Sequence, residues 1–147
     1  MLYYEDLQVG DTWSVGNHTV SKDEIIEFGE RYDPLPFHTD EEAASNSMFG
    51  GLVASGIHTL AICQRLSTEQ FYMESSSVAG LGIKEIEYPT PVRPGDTLRV
   101  QLEIVAKRPS NNTPDKGIVN VKRVVLNQDD EVVLRMVDVA LFGQRDD

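Results

Sequence analysis

Ser55-Gly56-Ile57-His58-Thr59-Leu60-Ala61-Ile62-Cys63-Gln64-Arg65-Leu66 is the stretch on which the fold turns. Ser55 is a helix-capping residue type. Behind it, Ile57, Leu60, Ala61, Ile62, Cys63 and Leu66 cover more than one stripe of a 3.6-residue period. That pattern predicts a helix enclosed on most sides, the central element of the domain. Downstream the period changes from 3.6 to two. Leu98, Val100, Leu102, Ile104 and Ala106 alternate with Arg99, Gln101, Glu103 and Lys107, as a half-buried strand requires. Val119 and Val121, then Val132, Leu134 and Met136, continue the alternation, with Asn127-Gln128-Asp129-Asp130 as a hairpin turn between them. Val78 to Tyr88 reads as a fourth, less regular strand with two glycines. Helices followed by a run of antiparallel strands predict an α+β domain in which a sheet covers one long helix.

Upstream, Ser21-Lys22-Asp23-Glu24 has the form of a capping box and starts a helix carrying Ile25, Phe28, Gly29 and Tyr32 on its packed side. Asp33-Pro34 ends it, because a residue before proline is pushed out of the helical region. Asp40-Glu41-Glu42-Ala43-Ala44 predicts a further short capped helix. The region before Ser21 is short and mixed, with a turn at Gly10-Asp11, and Pro109 to Lys116 reads as a loop between strands.

The whole chain is 147 residues with a formal charge of −11, the size of a single domain spanning 1–147. So acidic a chain is a poor partner for a nucleic-acid backbone or an anionic membrane. One cysteine, Cys63, makes no internal disulfide. No basic leader precedes an apolar run, and no apolar run approaches membrane-spanning length, so a soluble cytoplasmic protein is expected. Sheet edges and the uncovered part of the central helix predict a second copy, a homodimer or higher homo-oligomer.

Chemistry concentrates in Asp33-Pro34-Leu35-Pro36-Phe37-His38-Thr39-Asp40, where two prolines stiffen a segment carrying a carboxylate and an imidazole. Asp33 and His38 can share a water molecule if the segment curls, as acid–base addition of water requires. The other reading of the spacing makes Asp33 a cap and leaves His38 on the surface. A metal is not expected, since His38-Thr39-Asp40 offers two ligands and no third. Ser55 and His58 lie three apart but have no nucleophile elbow, so Ser55 reads as a cap and His58 as a packed or substrate-lining residue. Gly56, at a helix N-terminus, allows an oxygen to approach unpaired amides, although Gly50, Gly51 and Gly56 also serve simply as a tight entry into the helix.

Four blocks resemble the MaoC-like acyl dehydratases, the family that includes (R)-specific enoyl-CoA hydratases. They are Tyr4-Glu5-Asp6-Leu7-Gln8-Val9-Gly10-Asp11, the Asp33 to Ala43 segment, Phe49-Gly50-Gly51-Leu52-Val53-Ala54-Ser55-Gly56, and Pro91-Val92-Arg93-Pro94-Gly95-Asp96-Thr97-Leu98. The resemblance implies a hotdog fold, a long helix wrapped by a curved antiparallel sheet. It implies a dimer with an acyl thioester at the subunit boundary, carried by CoA or an acyl carrier protein. By matching positions, Asp33 and His38 become the water-activating pair and the Gly56 amide the support of the thioester oxygen. Leu35, Phe37, Ser55, Ile57 and His58 are then expected around the acyl group, with no cofactor beyond the CoA of the substrate. Lys84, Arg93, Lys107 and Arg108 are candidates for the phosphates of the carrier arm. Two other functions fit the same fold: a thioesterase, for which Glu69 is the helix carboxylate, and a catalytically silent acyl-thioester-binding subunit.

Overall fold

Two layers make up the protein, and the computed structural model describes residues 1–146 of it. A five-stranded antiparallel sheet runs in the order β1-β3-β4-β5-β2, formed by β1 (Thr12–Thr19), β2 (Ser77–Glu87), β3 (Thr97–Pro109), β4 (Lys116–Leu126) and β5 (Val132–Gly143). Its inner face packs on α4 (Gly56–Gln70), while α1 (Lys22–Tyr32), α2 (Pro36–Thr39) and α3 (Glu41–Ser45) form an overhang at the N-terminal end of α4. This is the hotdog arrangement, α+β in class.

The alternation in β3 determines which face is inward. Leu98, Val100, Leu102 and Ile104 are all fully buried, and in β4 and β5 the matching inward positions include Val119, Val121, Leu134, Met136 and Phe142. Each such side chain contributes about 1.5–3 kcal/mol on leaving water, which makes this face the main source of stability. Asn127 closes the β4–β5 hairpin, its amide donating to the Glu131 carbonyl and its Oδ1 accepting from the amides of Asp129 and Glu131.

Helix boundaries follow the local chemistry. Ser21 accepts from the Glu24 amide while the Glu24 carboxylate accepts from the Ser21 amide, and α1 ends at Tyr32 ahead of Asp33-Pro34. Asp40 Oδ1 accepts from the Ala43 amide and starts α3.

The structure departs from the sequence expectations in three places. Thr12–Thr19 is a full edge strand paired with β3. Pro36–Thr39 is a turn of helix with proline at its first position, where the missing N–H costs nothing. Finally, α4 is not enclosed on most sides: His58, Thr59, Ile62, Cys63, Leu66 and Ser67 are buried, but Ile57 is 55% exposed and Ala61 also faces out. The sheet wraps one side of α4 only, and β2 stands away from it with Val78, Leu81 and Ile83 uncovered. Among the described residues no helix is long and apolar enough to cross a membrane.

Candidate active site

Asp33 lies where α1 stops, and His38 lies one helical turn of α2 further on. Gly29 sets how closely the two helices meet, because a Cβ built there falls 2.7 Å from the His38 carbonyl oxygen and 3.0 Å from its Cβ. Only glycine allows α2 to sit directly on α1, and that contact sinks His38 until its side chain is 8% exposed. The reading of His38 as a surface residue is therefore wrong.

The tautomer of His38 follows from its partners. Nδ1 lies 2.7 Å from the Val53 carbonyl, which can only accept, so Nδ1 carries the hydrogen. In the neutral ring Nε2 is then a bare lone pair, and it faces Asp33 Oδ2 at 3.3 Å. Two acceptors facing each other need a donor between or beside them. Ser55 supplies one donor, its hydroxyl reaching Asp33 Oδ2 at 2.7 Å while its oxygen accepts from the Ile57 amide at 3.2 Å. The serine thus caps α4 and orients the carboxylate in one geometry.

His38 and Gly56 border one cavity of about 300 Å³, mostly apolar, with Phe37, Phe49, Val53 and Tyr88 among its walls. The Gly56 amide is among the four at the start of α4 that the helix cannot satisfy internally, at the positive end of its dipole. The Tyr88 ring presses on this position, its nearest carbon 2.7 Å from where a Gly56 Cβ would stand. A side chain there would collide with the ring, so glycine is needed for close approach.

Other expected residues fall elsewhere. Leu35 and Ile57 face solvent, 48% and 55% exposed, instead of lining this cavity. His58 turns away from it: its ring stacks on Phe28 at 4.6 Å and its Nε2 lies 3.3 Å from Glu24 Oε2. Burial holds the His58 pKa below the ordinary value despite that carboxylate. Burial alone would raise the Glu24 pKa, but hydrogen bonds from the Ser21 amide and His18 outweigh it and keep the carboxyl below its usual range. Glu69 pairs with Arg65 at 2.7 Å on the exposed side of α4, so it is no carboxylate of this cavity. Lys107 is committed to the Tyr4 and Leu7 carbonyls. Arg93 donates to the carbonyl of Phe49, a residue of the cavity wall. Among the described residues no cluster of three metal-ligating side chains occurs.

Against known proteins, the MaoC like domain model matches residues 9–126. The chain belongs to the MaoC-like dehydratase family. YdeM of Bacillus subtilis, an uncharacterized protein, is 35% identical over 84% of this chain and 86% of its own length. The 3-hydroxybutyryl-CoA dehydratase of Methylorubrum extorquens is 28% identical, the match covering 71% of this chain and 64% of that one. Among solved structures, the MaoC-like dehydratase from Rhodospirillum rubrum superposes with a TM-score of 0.91 at 41% identity and covers 99% of each chain. Within this MaoC-like chain, Tyr88 and Gly29 are the site residues that the sequence reading missed. Tyr88 follows directly on an irregular strand with no period to mark it. Gly29 was visible only as a small residue on the packed face of α1.

Proposed function

We propose that this chain adds water reversibly across a trans-2-enoyl thioester, an acyl-CoA or acyl carrier protein thioester, to give the (R)-3-hydroxyacyl product. The observation that carries the reading is the Nε2 lone pair of His38 facing Asp33 Oδ2 at 3.3 Å. A water that donates one hydrogen to each is held with its own lone pairs free to attack.

Asp33 takes a proton from that water as its oxygen bonds to C3, and electrons of the C2–C3 double bond move toward the thioester oxygen. The Gly56 amide and the α4 dipole support the negative charge that develops there. His38 orients the water and helps return the proton to C2, so the elements of one water are added and both residues finish as they began. Ser55 acts as a positioning residue through Asp33. The acyl group occupies the cavity walled by Phe37, Phe49 and Tyr88, and Arg93 stands beside Phe49 as a cation for the carrier arm.

The protomer is read as half of a homodimer, because β2 is an edge strand that leaves Val78, Leu81 and Ile83 58%, 53% and 45% exposed. Sedimentation of the purified protein checks this, and a monomer at micromolar concentration contradicts it. The activity is tested by loss of enoyl absorbance with a panel of trans-2-enoyl-CoAs, followed by chiral analysis of the product. Hydration to the (R) product supports the reading. Thioester cleavage, or no turnover with any chain length, overturns it.

A further inference from the structure

A second cavity of about 480 Å³ lies further along α4, bordered by Gln64 and Tyr72 on one side, by Gly80 and Gly82 of β2 on the other, and by Arg123 and Asp138 from the sheet. Its chemistry is unlike that of the first. Arg123 is 1% exposed, on an inward position of β4 that an apolar residue would ordinarily fill. Desolvating a guanidinium is costly unless its donors are matched. Here they are matched incompletely. One terminal nitrogen reaches Gln64 Oε1 at 2.9 Å, and the other lies 3.4 Å from Asp138 Oδ2, which already accepts from the Tyr72 hydroxyl. Arg123 Nε is buried with no partner among the described residues. Across the cavity, Cβ atoms built on Gly80 or Gly82 meet no atom of the same protomer within 4 Å. The space is thus open and more apolar than polar in its walls, with one buried guanidinium donor left short of an acceptor.

The two cavities are bordered by the same pair of segments. Gly56 and Tyr88 stand at the first, and Gln64 and the β2 glycines stand at the second. Gln64 stands eight positions after Gly56 in α4, roughly 12 Å along the helix, which is the reach of a medium-length acyl chain. We propose that Arg123 and its cavity receive the far end of the acyl group, and that this end carries an oxygen acceptor, a hydroxyl or a carboxylate, in place of a methyl. The inference rests on the hydratase reading and names its substrate class. Asp138 balances the guanidinium charge, so a hydroxyl end meets no repulsion, and a carboxylate end must displace part of the Arg123–Asp138 contact.

The experiment compares kcat/KM for trans-2-octenoyl-CoA and its ω-hydroxyl and ω-carboxyl counterparts, with crotonyl-CoA as a control too short to reach Arg123. Binding of the saturated forms of the three longer thioesters is measured by calorimetry. An oxygen-ended substrate is expected to be preferred over the alkyl one by about tenfold or more, the worth of a hydrogen bond to a charged donor. The better of the two oxygen ends identifies the group. In Gly82→Leu, whose side chain enters the open space, the preference falls toward one. Equal use of the three chains, or a preference that survives Gly82→Leu, overturns the assignment while turnover of crotonyl-CoA leaves the hydratase reading standing. Failure of every enoyl-CoA, crotonyl-CoA included, removes that reading and this one with it.

Discussion

Ser55 joins the start of the central helix to Asp33 through one hydroxyl, which donates to Asp33 Oδ2 at 2.7 Å and accepts from the Ile57 amide at 3.2 Å. The cap that begins α4 therefore also fixes the carboxylate opposite His38.

Ser55→Ala removes both bonds. Loss of the cap is expected to cost about 1 kcal/mol, seen as a fall of roughly 4 °C in Tm. Loss of the bond to Asp33 is expected to lower kcat about tenfold. Ser55→Thr, which keeps the hydroxyl, is expected to recover most of both. An Ala variant with full activity shows that Asp33 needs no orientation from this residue.

Close approach at Gly29 and Gly56 predicts two different failures. Gly29→Ala pushes α2 off α1 and displaces His38, so stability and rate both fall, the first by about 1–3 kcal/mol as for an overpacked core. Gly56→Ala collides with the Tyr88 ring at the position proposed for the thioester oxygen. Adding Tyr88→Ala to it is expected to relieve the stability cost without restoring kcat, which denaturant titration and initial rates read separately.

The cluster of Glu24 and His58 predicts acid sensitivity. His58 is held below its ordinary value of 6.5, so as pH falls through that value the unfolded chain takes up a proton that the native state refuses, and stability drops. Glu24, also lowered, adds stability that is present above 4.5 and is lost as pH falls further through its folded value. Both groups act in the same direction. Urea midpoints measured from pH 7.5 down to about 4 are expected to decline, with the upper part of that decline flattened in His58→Gln. An unchanged upper limb in the variant would place the sensitivity elsewhere.

Local chemistry made much of this architecture legible in advance. The Ser21 box, the stop at Asp33-Pro34, the Asp40 cap and the alternation of β3 are patterns within a few residues of themselves, and the structure has each of them. β1 was hidden because only Val15 along it is fully buried, which leaves no alternation to read. The apolar residues on the outer side of α4 suggested enclosure, yet a single chain offers them nothing to pack against. His58 points away from the cavity because its partner, Glu24, is 34 positions distant, and no periodicity encodes such a contact. The pairing of Asp33 with His38 could be read as a candidate from two prolines and a spacing. Its depth and tautomer depend on Gly29 and the Val53 carbonyl, which belong to tertiary structure.

The central claim is that Asp33 and His38 together hold and activate one water. It is tested most directly by the rate of crotonyl-CoA hydration in Asp33→Asn, with circular dichroism and a thermal melt confirming that the variant is folded. Asparagine keeps the shape and the bond from Ser55 but removes the base, so kcat is expected to fall by at least about a hundredfold. A folded Asp33→Asn protein that hydrates crotonyl-CoA at the wild-type rate would contradict the account.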